Sequence, residues 1–259
     1  MLRKSLAHLA ILSVTSQQAQ AATRVARSHL AFALDYPDAA AAEANAAPLA
    51  AYIGVLKVGL ELFVREGARA TQIGLNLGCE VFLDLKLHDI PETVERAIGN
   101  ACQLGVTYLT VHASGGPRML AQAVERVTKE NVPMTLLAVT VLTSLDESDL
   151  QAIGVNRSPA DQVLSLAKMA QSVGIRGFVS SAAEVGRLRS ELGASAILVT
   201  PGIRPSGPAS DDQKRVATPT SAIRSGSSIL VVGRPIRDAK NPVAAAAAIE
   251  QEIALALAT

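Results

Sequence analysis

Closely spaced charged residues are the strongest chemical signal in the chain. Segment 81–93 reads VFLDLKLHDIPET and places Asp84, Lys86 and Asp89 at and just beyond the end of an apolar run. Side chains two positions apart in a strand lie on the same face, so Asp84 and Lys86 are expected to project together. Lys57 ends an earlier apolar run and is expected to reach the same space.

This charged cluster predicts proton transfer and charge stabilisation. Carboxylate neighbours favour the ammonium form of a lysine, whereas Schiff-base formation requires a free amine. Burying several charges costs folding free energy, and function is the usual reason why a protein keeps them. The alternative is an ion-pair network that only neutralises buried charge.

A metal site is a second chemistry that the residue types allow. Asp84, His88, Asp89 and His112 could all act as ligands. Two ammonium groups beside them would repel a divalent cation, however, and would already neutralise the acids. We therefore expect no metal, and we interpret His112 as a hydrogen-bonded residue at a strand end.

The elements that must position these residues alternate regularly along the chain. Short apolar runs, typical of parallel strands buried on both faces, alternate with Ala- and Leu-rich helical stretches. This pattern predicts an α/β protein with a single (β/α)8 TIM barrel. The rival, a doubly wound open sheet, lacks a G-x-G-x-x-G or P-loop motif after any strand. The predicted strands are 29–35, 52–58, 80–85, 106–112, 133–141, 175–180, 195–200 and 228–233, and the helical stretches are 38–50, 60–77, 91–104, 115–129, 158–173, 181–192 and 242–258.

In this fold, chemistry lies at the carboxyl ends of the strands, and the loops after strands 7 and 8 commonly bind phosphate. Here those loops read TPGIRPSG (200–207) and GRP (233–235). Glycine lets a phosphate approach backbone N–H groups, and arginine can hold two of its oxygens. Segment 203–216 is predicted to be a flexible lid that orders over a ligand. We expect a ligand with its phosphate at strands 7 and 8 and its reacting part near strands 2 and 3.

Composition excludes several classes of protein. The 259 residues include 24 Lys+Arg and 23 Asp+Glu, a balance that gives no electrostatic reason to bind nucleic acid or an anionic membrane. No apolar run approaches the 18 residues of a membrane span. Cys79 and Cys102 lack metal-type spacing and are too few for a disulfide-rich scaffold.

The N-terminal region differs from the rest of the chain. Residues 1–34 contain no Asp or Glu, and Ala19-Gln20-Ala21 matches a small-x-small cleavage pattern, so a signal or transit peptide is one interpretation. The other is a loosely helical extension, which we favour together with a cytoplasmic location. The expected organisation is an extension over 1–28 and a barrel domain over 29–259.

The sequence resembles the orotidine 5′-phosphate decarboxylase family in its bacterial form. The Asp-x-Lys-x-x-Asp core also occurs in related sugar-phosphate decarboxylases and synthases. Followed by Ile90-Pro91, and together with the matching loops after strands 7 and 8, it is specific to the nucleotide enzymes. Two departures are Glu92, where many relatives have Asn, and the extension before His29. The matching pieces are Ala33-Leu34-Asp35, Leu56-Lys57-Val58-Gly59, Asp84–Thr93, His112–Gly116, Val139–Ser144, Thr200–Pro205 and Gly233-Arg234-Pro235.

The resemblance implies decarboxylation of orotidine 5′-phosphate to UMP and CO2 in de novo pyrimidine biosynthesis, without a cofactor. Lys86 would donate a proton to C6 of the pyrimidine as carbon dioxide leaves. Asp84 would lie against the substrate carboxylate, and Lys57 would hold Asp84 and the ribose in place.

The resemblance also implies how the substrate is held. Asp35 would bind the ribose, and Thr143 would contact the base. Three residues would hold the phosphate, with Arg204 in a supporting loop. Asp89 and Thr93 would reach into the neighbouring subunit's site, so the enzyme would be a homodimer with shared active sites. The implied phosphate-binding residues are Gln213, Gly233 and Arg234.

Two alternatives remain open. The first is a metal-dependent sugar-phosphate decarboxylase or hexulose-phosphate synthase on the same barrel, which sensitivity to a chelator would separate. The second is a catalytically silent barrel that binds a phosphorylated ligand. The complete charged set argues against the second, because a silent protein has little reason to keep four buried charges.

Overall fold

A computed structural model describes residues 25–205 and 217–258. Within these ranges eight parallel strands pair in chain order, and the eighth pairs with the first to close a barrel. The predicted α/β TIM barrel is therefore confirmed. The strands are β1 Leu30–Ala33, β2 Val55–Gly59, β3 Glu80–Leu87, β4 Tyr108–His112, β5 Thr135–Val139, β6 Gly177–Val179, β7 Ile197–Thr200 and β8 Ile229–Val232.

Helices connect successive strands. The predicted stretch 60–77 forms two helices, because Gly67 takes a φ of 57° and interrupts the helical path. Two short 3₁₀ helices, Ala47–Leu49 and Ala113–Gly115, also lie in the connections. The α-helices are α1 Ala39–Ala46, α2 Leu60–Glu66, α3 Ala68–Asn76, α4 Pro91–Cys102, α5 Gly116–Glu130, α6 Glu147–Ala152, α7 Pro159–Ser172, α8 Ala182–Leu192, α9 Pro219–Arg224, α10 Arg234–Arg237 and α11 Pro242–Leu257.

The apolar core has two layers, as a packed barrel requires. The larger layer lies between the strands and the helices, with Phe32 and Leu56 from strands and Ile98 and Ile249 from helices fully buried in it. Burying side chains of this size contributes about 1.5–3 kcal/mol each. The smaller layer fills the barrel interior and contains Ala31, Ala33, Val55, Phe82, Leu137, Val199, Ile229 and Val231.

The amino-terminal ends of β7 and β8 are tied together by Arg189 of α8. Its guanidinium donates to the carbonyl oxygens of Gly193, Ala194 and Ala196 at 2.8–2.9 Å, all in the loop before β7. It also donates to the Gly226 carbonyl before β8 at 2.7 Å. Partial burial lowers the pKa of Arg189. These bonds fix the face of the barrel opposite the strand ends that carry the charged cluster.

Some expectations concern residues outside the described ranges. Most of the proposed extension 1–28, most of the proposed lid 203–216, and Gln213 lie there. Ile203 forms a bridge with Ala217, and the Arg204 N–H donates to the Ala217 carbonyl at 3.0 Å. The described chain thus leaves β7 and returns toward β8 at one point beside the barrel mouth. Among the described helices, none has the length and apolar character to span a membrane.

Candidate active site

The charged cluster predicted from the sequence meets at the carboxyl ends of the first three strands. Lys86 Nζ lies 2.9 Å from Asp84 Oδ1, and Lys57 Nζ lies 3.6 Å from Asp84 Oδ2. Lys57 Nζ is also 3.6 Å from Asp35 Oδ1. The Lys57 and Asp84 side chains are each 13% exposed, whereas those of Lys86 and Asp35 are 31% and 46% exposed. The result is a chain of alternating charges running from a nearly buried centre to an open rim.

Gly59 at the end of β2 makes room for this chain of charges. A β-carbon at position 59 would lie 3.1 Å from Lys57 Nζ and 3.7 Å from Asp35 Oδ1. A side chain here would therefore crowd the ammonium group, which would have to shift by a few tenths of an ångström. The residue that leaves room for the Lys57 ammonium group, Gly59, is thus only two positions after the lysine in the sequence.

The strand that carries Asp84 and Lys86 is irregular. Leu83 pairs with Leu109 and Leu87 pairs with Val111, so β3 contains two more residues than β4 between these pairs. Lys86 has a φ of 51°, in the left-handed region. The two side chains do meet, as expected, but simple strand alternation is not the reason. A bulge turns Lys86 back toward Asp84.

Thr110 of β4 faces this bulge and is a site residue that sequence reasoning missed. Its Oγ1 accepts a hydrogen bond from the Lys86 backbone N–H at 2.9 Å. The same hydroxyl donates to Asp84 Oδ1 at 3.0 Å, and Thr110 is fully buried. A polar residue within an otherwise apolar strand, two positions before His112, was the available signal.

His112 ends β4 as expected, with its ring packed against His88. The ring centroids are 5.2 Å apart and the planes are inclined by 36°. Burial, the neighbouring His88 and the Lys86 ammonium all lower the pKa of His112. His112 is therefore a neutral imidazole at neutral pH and adds no further positive charge beside Lys86.

A cavity of about 360 Å³ opens over the cluster at the barrel mouth. Asp35, Lys57, Asp84 and Lys86 line one side of it, reached from β1, β2 and β3. Apolar residues that the sequence argument did not single out form its floor, because inward-facing positions of several strands converge there. They include Ala33, Phe82, Val139, Val179, Val199 and Val231.

The remaining wall of the cavity comes from the loops after β5, β7 and β8. Thr143 follows β5, Arg204 follows β7, and Gly233 with Arg234 follows β8. The structure thus brings these four predicted binding residues to the same cavity as the charged cluster. Arginine and glycine at one end and alternating charges at the other suit a ligand with an anionic head and a polar reacting part.

Asp89 and Thr93 do not line this cavity. Asp89 is exposed in the loop between β3 and α4, where its Oδ1 accepts a hydrogen bond from the Ile90 N–H at 2.6 Å. Thr93 is exposed in the first turn of α4, which Pro91 begins. Within one chain, these two predicted site residues lie outside the site.

The described residues contain no group of three or more His, Cys, Asp or Glu side chains placed to hold a metal ion. The four charged residues that do converge alternate in sign. What they can do chemically is hold an ammonium group firmly beside a reacting atom, which stabilises negative charge and supplies a proton.

Several known proteins are similar to this chain over most of its length. The sequence model of the orotidine 5′-phosphate decarboxylase / HUMPS family matches residues 28–249. The orotidine 5′-phosphate decarboxylase of Anaeromyxobacter sp. (strain K) is 50% identical over 217 residues, covering 84% of this chain and 94% of its own. The enzyme of the same name from Syntrophotalea carbinolica is 46% identical over 237 residues, covering 90% and 97%.

Solved structures show the same likeness. The crystal structure of orotidine 5′-phosphate decarboxylase from Lactobacillus acidophilus superposes with a TM-score of 0.75 at 37% identity, covering 86% of this chain and 98% of its own. An uncharacterized conserved protein from Geobacillus kaustophilus gives a TM-score of 0.76 at 33% identity, covering 86% and 99%.

Proposed function

Because the chain belongs to the orotidine 5′-phosphate decarboxylase / HUMPS family, we propose that it converts orotidine 5′-phosphate to UMP and CO2 in pyrimidine biosynthesis. The observation that carries this proposal is the Lys57–Asp84–Lys86 arrangement at the mouth of the cavity. In this arrangement, the Lys86 ammonium group contacts one oxygen of the Asp84 carboxylate, and the Lys57 ammonium group lies near the other oxygen.

In the proposed reaction, the bond from C6 to the carboxylate carbon breaks and its electron pair stays on C6. The Lys86 ammonium supplies a proton to C6 from Nζ, and the resulting amine regains a proton from water. No pyridoxal, thiamine or metal delocalises the carbanion in this scheme. Stabilisation therefore falls to a fixed ammonium group at the point where negative charge develops.

Asp84 contributes by its position in this scheme. Its carboxylate would lie against the substrate carboxylate, where two negative charges repel until carbon dioxide departs. Binding energy from the distant phosphate offsets that repulsion in the bound substrate. Lys57, 3.6 Å from both Asp84 and Asp35, would hold the two aspartates in place.

The rest of the cavity would bind the non-reacting parts of the nucleotide. Asp35 and Lys57 would bind the ribose, and Thr143 would contact the base. The phosphate would lie at the loops after β7 and β8, three to four strands around the barrel from β3, which carries Lys86. The residues proposed to hold it are Gly233, Arg234 and Gln213, with Arg204 in support.

We further propose a homodimer in which Asp89 and Thr93 complete the partner's site. Three large apolar side chains support it. Leu60 is 51% exposed, Val64 is 81% exposed and Ile90 is 64% exposed, and all three follow the adjacent strands β2 and β3. Large exposed apolar side chains on adjacent barrel segments are typical of an association surface. Asp89 lies beside Ile90 and would be carried into such an interface.

The decisive experiment follows the ultraviolet absorbance of orotidine 5′-phosphate with purified protein and excess EDTA. We expect loss of substrate and stoichiometric formation of UMP, because the proposed chemistry uses only side chains. Activity that disappears with EDTA and returns with magnesium would favour the metal-dependent sugar-phosphate branch. Binding of UMP without any turnover would favour a silent ligand-binding barrel. A cytoplasmic location completes the proposal, and cell fractionation tests it.

A further inference from the structure

We propose that Thr110 is a positioning residue for decarboxylation, and that its hydroxyl sets the geometry of both Asp84 and Lys86. The inference rests on the proposed roles of these two residues. Thr110 would not touch the substrate, because it is fully buried and is absent from the lining of the cavity. It would act through the two charged residues that do line it.

Strand register places Thr110 opposite the bulge. Between the pairs Leu83–Leu109 and Leu87–Val111, β4 contributes the single residue Thr110. Three residues of β3, numbers 84 to 86, face this one position. Backbone pairing is interrupted there, and a side chain with both a donor and an acceptor can replace the missing ladder bonds.

The hydroxyl of Thr110 fills both roles. The Thr110 hydroxyl accepts a hydrogen bond from the Lys86 backbone N–H at 2.9 Å. Its single proton is donated to Asp84 Oδ1 at 3.0 Å. Lys86 Nζ donates to the same carboxylate oxygen at 2.9 Å. A closed ring of hydrogen bonds thus joins the backbone of Lys86, Thr110, Asp84 and the end of the Lys86 side chain.

This ring determines where the ammonium group lies. Lys86 has a φ of 51°, a region that lysine adopts only when surrounding contacts hold it there. Without the hydroxyl, the Lys86 N–H would lose its partner and Asp84 Oδ1 would lose one of two donors. The carboxylate and Nζ would then move relative to C6, and displacements of about 1 Å can reduce turnover by about 100-fold.

The test is Thr110→Val, which preserves the shape of the side chain and removes both hydrogen bonds. We expect kcat for orotidine 5′-phosphate to fall by about 10- to 100-fold, the effect of losing a hydrogen bond to a charged group. KM and the Kd for UMP should change by less than about threefold, because the phosphate and ribose contacts remain. Thr110→Ser, which restores the hydroxyl, should recover kcat to within about threefold of the wild type.

Thr140→Val is the matched control. Thr140 is also nearly buried near the barrel mouth, and its hydroxyl donates to the Val179 carbonyl at 2.9 Å without contacting a charged residue. Its kcat should stay within about threefold of the wild type. If Thr110→Val does not fold, Thr110→Ala provides the same loss of the hydroxyl with a smaller side chain.

Three results would overturn the inference. They are an unchanged kcat in a folded Thr110 variant without the hydroxyl, an equal loss in Thr140→Val, and a failure of Thr110→Ser to recover turnover. A wild-type protein that does not decarboxylate in the same assay would refute the proposed function instead. The wild-type arm therefore separates failure of the function from failure of the role of Thr110.

Discussion

At the scale of single residues, the cavity separates the groups proposed to act on the reacting carbon from those proposed to hold the rest of the substrate. Lys86 contacts only Asp84 among the charged residues of the cluster, at 2.9 Å, and stands where the proposed carbanion forms. Arg234 lies on the other side, after β8. In the proposed reaction, the Lys86 ammonium acts in the transition state, whereas a contact of Arg234 with the phosphate would contribute equally before and during the reaction.

Lys86→Ala and Arg234→Ala should therefore fail in different ways. We expect Lys86→Ala to reduce kcat by about 10⁴-fold or more, at the upper end of what a general acid contributes, while UMP binds nearly as well. Arg234→Ala should raise KM by about 100-fold with a smaller change in kcat, because a charge-assisted phosphate contact is lost. Steady-state kinetics and calorimetric titration with UMP measure the two effects. Normal substrate binding by Arg234→Ala would mean that the phosphate lies elsewhere.

The sequence was sufficient to identify these residues but not the geometry that joins them. Charge at the ends of apolar strands marked Lys57, Asp84 and Lys86, because few structural roles explain buried charges. Thr110 was missed, since its importance depends on a register shift between β3 and β4 that no local pattern reveals. The bulge depends on how β3 and β4 pair, so it can be recognised only once their register is known.

At the scale of elements, the eight strands were predictable because continuous apolar runs of this length have few other uses in a protein of this size. Helices α6, α9 and α10 were not predicted. Each has only four to six residues, too few to show an apolar face at helical spacing. The division of 60–77 at Gly67 was also missed, because its apolar spacing continues through the break.

Arg189 shows how one helix stabilises two strands at the face opposite the site. Arg189→Met keeps much of the apolar stem but removes the bonds to four backbone carbonyls. We expect the free energy of unfolding to fall by about 3 kcal/mol, allowing for water that reaches part of this loop. Urea denaturation measures the change, and kcat of the folded variant should be unaffected.

Arg187→Met is the control on the same helix. Arg187 forms an exposed ion pair with Asp161, at 46% and 58% side-chain exposure, and such pairs contribute little to stability. Its denaturation midpoint should move much less than that of Arg189→Met. Equal effects of the two substitutions would show that the carbonyl contacts of Arg189 do not hold the barrel together.

At the scale of the whole molecule, the cavity of one chain contains only part of the proposed catalytic set. Asp35, Lys57, Asp84 and Lys86 line the cavity, whereas Asp89 is exposed outside it, next to the exposed Ile90. The family resemblance assigns Asp89 to the partner's site. A two-fold axis would then place each Asp89 over the other subunit's Lys86.

Mixing two inactive variants tests this arrangement. Lys86→Ala and Asp89→Ala homodimers should each be nearly inactive, because every site carries one lesion. In a mixed dimer, one site carries both lesions and the other carries none. Random exchange of equal amounts makes about half of the dimers mixed, so about a quarter of wild-type activity should return. Native mass spectrometry measures the mixed fraction; mixed dimers without recovered activity would assign both residues to one subunit's site.

The left-handed backbone of Lys86 has a consequence for how this chain could change. A φ of 51° suits glycine or asparagine, and lysine there costs about 1 kcal/mol of folding free energy. Backbone conformation alone would therefore favour a chain with glycine or asparagine at position 86. Such a chain would keep the cavity but lose the ammonium group at its mouth. Position 86 is thus a place where the preference of the local backbone and the proposed chemistry call for different residues.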